Sequence, residues 1–93
     1  MNVMKAKRFI VKGDVQGVGY RYFAVKAAQK LGLKGWVRNL YDGNVEAYAV
    51  GDEEDLTTFH NDLLKGPMMA TVTEVQVVEE ELNSQHNSFE IRY

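Results

Sequence analysis

Cysteine is absent from the 93 residues, which removes disulfide frameworks, thiolate zinc sites, redox pairs and cysteine nucleophiles together. Oxidising and reducing surroundings would be tolerated equally. A long apolar run is missing as well. The opening residues MNVMKAKRFIVK mix charge with apolar side chains and never form the stretch that a signal peptide or a membrane span requires. A soluble, cytoplasmic protein is the expectation. Nor is there an excess of positive charge: 11 Lys and Arg stand against 13 Asp and Glu, a formal charge of -2, so the chain is not the basic body of a general nucleic-acid binder. What is present is ordinary globular material, with 45% apolar and 26% charged residues, which makes disorder, collagen and coiled-coil arrays poor descriptions. The length predicts one domain over residues 1–93 with no room for a second substrate-binding lobe.

The charges are unevenly spread. Residues 1–38 hold nine Lys or Arg and a single acid, Asp14, whereas residues 39–93 hold two bases and twelve acids. This asymmetry points to an anion site built from the first third of the chain.

Periodicity predicts the elements. Residues 7–12 alternate, with Phe9 and Val11 on one face and Arg8, Ile10 and Lys12 on the other, as a half-buried strand does. Phe23, Ala24, Ala27, Ala28 and Leu31 recur at helical spacing, and Gly32 followed by Leu33 suits a left-handed helix terminus. Residues 35–50 are expected to form two strands around Tyr41-Asp42-Gly43-Asn44, with Asp-Gly accepting the positive φ angles of a two-residue type I′ turn. A second helix over 52–65 places Leu56, Phe59, Leu63 and Leu64 on one stripe, begins at an Asp52 cap and stops at Gly66-Pro67. Residues 71–80 are rich in β-branched side chains, and Phe89, Ile91 and Tyr93 alternate in a short final strand. A doubled strand-helix-strand order of this size is the ferredoxin-like split βαβ sandwich, an α+β fold with two helices on one face of an antiparallel sheet of four main strands plus a short fifth.

Between the first strand and the first helix lies Gly13-Asp14-Val15-Gln16-Gly17-Val18-Gly19-Tyr20-Arg21. It is neither a dinucleotide fingerprint nor a P-loop, because the glycine spacing is wrong and no Lys-Ser/Thr follows. Two readings fit these residues. The glycines can simply permit a turn, with Arg21 a solvated first-turn residue. Alternatively, they let successive backbone N–H groups converge at a helix N-terminus, and Arg21 adds a guanidinium fork that grips two oxygens of a tetrahedral anion. In the predicted topology the second strand ends on the same sheet edge as the first, roughly 10 Å away, which brings Asn39 opposite the loop.

The segment Gly13-x-Val15-Gln16-Gly17-Val18-x-Tyr20-Arg21 resembles the first signature of the acylphosphatase family. Gly35-Trp36-Val37-Arg38-Asn39, with Gly43-x-Val45 and Gly51 beyond it, resembles the second, and the ending Phe89-Glu90-Ile91-Arg92-Tyr93 is similar to the usual family terminus. The resemblance implies hydrolysis of the carboxyl-phosphate bond of acyl phosphates without metal or organic cofactor. It carries phosphate binding onto Arg21 and the backbone amides of Gln16, Gly17, Val18, Gly19 and Tyr20, and water positioning onto Asn39. The implied partners are a small-molecule acyl phosphate and, as product-like ligands, inorganic phosphate or sulfate, with no nucleic acid and no membrane; a monomer is expected.

Other residues have plain explanations. His60 lies beside an apolar stripe and His86 in a loop, neither with a second ligand at metal spacing. Trp36, Tyr20, Tyr41 and Tyr48 are expected in the core or half-buried on the sheet, Glu79-Glu80-Glu81 at the solvated end of an edge strand, and Arg38 and Lys34 either raise the potential around the anion site or serve as ordinary solubilising charges. The alternative function is a non-enzymatic RNA- or ligand-binding module of the same fold. An RNA-binding module of this kind needs aromatics on the first and third strands, whereas the third strand reads Asn44-Val45-Glu46-Ala47-Tyr48-Ala49 and carries an acid. A domain of a longer carbamoyl transferase is opposed by the length. The segment Ser84 to Ser88 carries no signal.

Overall fold

Alternation along the first strand decides which way the sheet faces. In the computed structural model, which describes residues 3–82 and 85–93, the chain runs through β1 (Lys5–Asp14), α1 (Tyr20–Lys30), β2 (Lys34–Asn39), β3 (Val45–Gly51), α2 (Glu53–Lys65), β4 (Thr71–Glu80) and β5 (Phe89–Ile91). Of the Ser84 to Ser88 segment, Ser84 lies outside the described residues. Phe9 and Val11 are fully buried in the main core with Ala24 and Ala28 of α1, Leu56, Phe59 and Leu63 of α2, and Val37, Val45, Ala47 and Ala49 of the sheet. That core lies between the sheet and the two helices. The strand order is β4-β1-β3-β2-β5; the four long strands pair antiparallel, and short β5 lies parallel to β2. No described helix is long and apolar enough to cross a membrane.

Both helix stops are formed as their residues require. Gly32 takes φ 70°, and the Gly32 and Leu33 N–H groups return to the carbonyls of Gln29 and Ala28, which satisfies two of the last free acceptors of α1. Buried Leu33 closes this turn apolarly. In α2 the stripe is narrower than the sequence implies. Leu56, Phe59 and Leu63 are buried, but Leu64 is 45% exposed, because the residue after Leu63 is turned by about 100° off the shared face.

The hairpin between β2 and β3 departs from expectation. Its strands stop at Asn39 and resume at Val45, and only Gly43 has a positive φ (94°), so Asp42 and Gly43 do not form the two-residue type I′ turn. Leu40 N–H donates to the Asn44 carbonyl at 2.9 Å and Gly43 N–H to that of Leu40 at 3.3 Å, giving a three-residue connection that ends on a left-handed glycine. The Asp42 carboxylate accepts from Asn44 N–H at 3.0 Å, which holds Asp42 in an Asx turn at negative φ. Tyr41, expected on the sheet, stands wholly exposed at this tip.

The sheet face away from the helices is polar and paired. Glu46, only 6% exposed, lies between Arg38 (2.7 Å) and Arg8 (3.3 Å). Trp36 and Tyr48 stack beside them on β2 and β3, and the guanidiniums of Arg38 and Arg92 lie over Trp36. β1 offers Arg8 and Ile10 here rather than an aromatic, so the first-and-third-strand platform for stacked bases is not formed. The uneven charge distribution now has a second explanation. Lys5, Lys7, Arg8, Lys12 and Arg38 all pair with acids from the later part of the chain, chiefly across strands.

Candidate active site

Strand direction gathers the site. β1 and β2 are each antiparallel to the intervening β3, hence parallel to each other, and β5 is parallel to β2. Three carboxyl ends therefore share one sheet edge: β1 delivers the glycine loop, β2 ends at Asn39, and β5 leads to Tyr93. Before the loop leaves the sheet, the register of β1 against β4 shifts between Lys12 and Gly13. A Cβ at Gly13 would lie 2.1 Å from the Thr71 carbonyl oxygen, so only glycine fits this close approach.

The loop then bends through two left-handed residues, Gly17 (φ 77°) and Gly19 (φ 79°). Gly19 is the N-terminal cap residue of α1 and brings no side chain to the helix end. The first helical bond runs from Phe23 N–H to the Gly19 carbonyl at 3.0 Å, so the N–H groups of Tyr20, Arg21 and Tyr22 have no acceptor within the helix. No acid stands in this first turn. The outcome is a cluster of backbone donors at the positive end of a helix dipole, where an anion is stabilised.

Side chains close the cavity. A hollow of about 220 Å3 is walled by Val15, Gly17, Gly19, Tyr20, Arg21 and Tyr22 from the loop and helix, Asn39 from β2 and Ile91 from β5. Asn39 Oδ1 is buried and has no hydrogen-bond partner, the one such side-chain atom among the described residues. Such an acceptor costs about 1–3 kcal/mol if nothing donates to it. Arg21 pairs with no carboxylate among the described residues, and its guanidinium lies 5.2 Å from the centre of the Tyr93 ring. The Tyr20 phenol points elsewhere: it is buried in the core and donates to the Leu63 carbonyl at 2.6 Å, tying the start of α1 to the last turn of α2. Burial drives its ionisation well above the ordinary phenol range.

Of the residues expected at the site, Gly17, Gly19, Tyr20, Arg21 and Asn39 meet in this hollow. Gln16 and Val18 belong to the same loop without walling it; the Gln16 side chain reaches the β2–β3 hairpin, and Val18 packs against the core. Arg38 and Lys34 do not line the hollow: Arg38 pairs with Glu46 on the open sheet face and Lys34 donates to the Asn87 carbonyl. Ile91 and Tyr93 were not anticipated here. Their alternation in a strand parallel to β2 was the available signal, since parallel strands end on one edge. A larger hollow of about 1010 Å3 lies against Trp36, Tyr48, His86 and the Glu79–Glu81 run. Its charges are mixed and it is remote from the loop, so the smaller cavity is the one in which chemically useful groups converge.

A split βαβ sandwich with backbone donors, an unpaired arginine and an unpartnered carboxamide at one edge defines a class of small domains that handle anions. Known proteins narrow the class. The acylphosphatase family model matches residues 7–91. An acylphosphatase of Archaeoglobus fulgidus is 47% identical over 90 residues, covering 97% of this chain and 100% of its own. The crystal structure of acylphosphatase from Bacillus subtilis superposes with a TM-score of 0.92 at 41% identity, over 98% of this chain and 100% of that one. Full-length HypF, in a phosphate- and nucleotide-bound form, matches all of this chain with only 12% of its own length, at TM-score 0.87 and 29% identity. The chain belongs to the acylphosphatase family, and it is a hydrolase of acyl phosphates.

Proposed function

We propose that Arg21 and the loop amides from Gln16 to Tyr20 bind the phosphoryl group while Asn39 orients the attacking water. The buried, unpartnered Asn39 Oδ1 in the same hollow as Arg21 carries this reading. A carboxamide oxygen accepts a hydrogen bond from water but is not a base at neutral pH, so its role is aim rather than deprotonation.

The reaction needs little more. Water oxygen attacks phosphorus as the bond from phosphorus to the acyl oxygen breaks. The leaving carboxylate departs without a proton, because carboxyl groups ionise near pH 4. Phosphoryl transfer therefore asks chiefly for in-line positioning and for charge stabilisation on the equatorial oxygens, which Arg21 and the amides supply. The proton of the attacking water passes to a phosphate oxygen. No titratable side chain takes part in this scheme, so the rate should show no essential enzyme group titrating near neutrality.

The test is phosphate release from benzoyl phosphate with a chelator present. Asn39→Ala is expected to lower kcat roughly a hundredfold, about 3 kcal/mol of transition-state stabilisation, while inhibition by inorganic phosphate persists. Arg21→Ala and Arg21→Lys should weaken both turnover and phosphate inhibition. Near-normal turnover by Asn39→Ala would remove the water-positioning role.

A further inference from the structure

The two halves of the site come from different parts of the chain, the loop after β1 and the end of β2, and one side chain joins them. Gln16 Nε2 donates to the Leu40 carbonyl at 2.7 Å and to the Asn44 carbonyl at 2.8 Å. Both N–H groups of its carboxamide are thereby used. Leu40 directly follows Asn39, and Asn44 directly precedes Val45, the cross-strand partner of Asn39. One nitrogen thus holds both arms of the hairpin at the first step beyond Asn39.

We propose that Gln16 is a positioning residue that sets Asn39 against the anion loop. The inference rests on the assignment of Asn39 as the water holder. Among the described residues the hairpin's other bonds, Leu40 with Asn44, Gly43 with Leu40 and Asn44 with Asp42, are internal to it, and its tip, Tyr41 and Asp42, is exposed, so Gln16 is what ties it to the loop. Since the donor sits in the phosphate loop itself, this side chain ties that loop directly to the strand end that carries Asn39 and so adjusts the carboxamide against a phosphoryl group held there. In-line attack tolerates little error there, and a displacement of about 1 Å costs on the order of a hundredfold in rate. An ordinary structural bond would influence folding alone. A positioning link acts on turnover, and only through Asn39.

A double-mutant cycle separates the two. Gln16→Leu puts an apolar side chain of the same skeleton as asparagine there, branching one carbon earlier than glutamine, and removes both donors; it is expected to lower kcat for benzoyl phosphate by roughly tenfold or more, with the inhibition constant for inorganic phosphate within about threefold of the parent. In an Asn39→Ala background the same change should alter kcat by less than about twofold, because its route of action is already gone. Gln16→Asn, one methylene shorter but still a carboxamide, folds with the least disturbance and should fall between parent and Gln16→Leu. Far-UV circular dichroism and thermal unfolding confirm that each variant is folded at the assay temperature. Parental kcat in folded Gln16→Leu and Gln16→Asn, or an equal loss of kcat in both backgrounds, overturns the proposal while leaving Asn39 in its role. Near-parental turnover by Asn39→Ala alone overturns both.

Discussion

The two helices begin in opposite ways. α2 opens on Asp52, whose carboxylate accepts from the Asp55 N–H at 2.8 Å, and follows it with Glu53, Glu54 and Asp55. Its donors and its dipole are answered within the chain, and Lys5 and Lys7 in turn hold the Glu53 carboxyl below the usual glutamate range by hydrogen bonding. α1 opens on a left-handed glycine with no capping side chain and no acid in its first turn. Because β1 and β3 are antiparallel, the two starts lie at opposite edges of the sheet. One edge is finished as structure; at the other the first N–H groups have no acceptor within the helix and Arg21 has no carboxylate among the described residues, as the proposed anion site requires. A missing cap normally weakens a helix by about 1 kcal/mol, a cost that anion binding would offset under the proposed function.

The sharpest way to break the contrast is to make α1 begin like α2. Gly19→Asp places a capping carboxylate at the loop. A Cβ at Gly19 meets nothing within 4 Å, and Asp and Asn are among the residues that best accept a left-handed φ, so the two variants share a modest backbone strain that cancels in their comparison. The carboxylate would occupy the donors that the proposed function gives to phosphate and repel its charge. Turnover of benzoyl phosphate should fall by roughly a hundredfold or more, and phosphate inhibition should be lost with it. Gly19→Asn, of the same shape without the charge, should lose distinctly less; equal losses would mean that steric change at the loop, not occupation of its field, is responsible.

Legibility differed between these regions for a physical reason. The cap and acids of α2, the alternation of β1 and the glycine stop of α1 are local, set by neighbours within a few residues, and the sequence displays them directly. That the glycine loop and Asn39 lie at one edge was readable because strand direction brings them there. What was not readable depends on which distant groups meet. The Gln16 side chain bonds residues 24 and 28 positions away. Tyr93 lies over Arg21 only because β5 adds alongside β2. The basic first third pointed to an anion site, yet five of its nine cations pair with acids, four of them across strands, and Arg21 is the one that faces the cavity.

Tyr20 links the two helices, and its loss should be felt as stability. Its hydroxyl satisfies the carbonyl of Leu63, one of the last four acceptors of α2. Tyr20→Phe leaves that carbonyl buried without a donor, at a cost of about 1–3 kcal/mol, or a fall in Tm of several degrees for a domain of this size. A pH signature accompanies it. Burial raises the phenol's folded-state pKa above its unfolded value near 10, so the protonated form is favoured in the folded state. Its contribution is complete below that unfolded value and is lost as pH rises towards the folded one. Thermal unfolding across the alkaline range should show the parent losing stability more steeply than Tyr20→Phe; parallel curves would detach the phenol from the alkaline transition.

The smallest effect tests the finished helix start. Asp52→Ala removes the side-chain acceptor from α2 while its three acids remain, and should cost about 1 kcal/mol in chemical denaturation. The edge bearing Asp52 is the far one from the loop, so kcat and phosphate inhibition should stay at parental values. That combination, stability reduced and chemistry untouched, is the inverse of what Gly19→Asp is expected to give. If Asp52→Ala also impaired turnover, the two edges would be coupled through the body of the sandwich, and the division between a structural helix start and a ligand-binding one would fail.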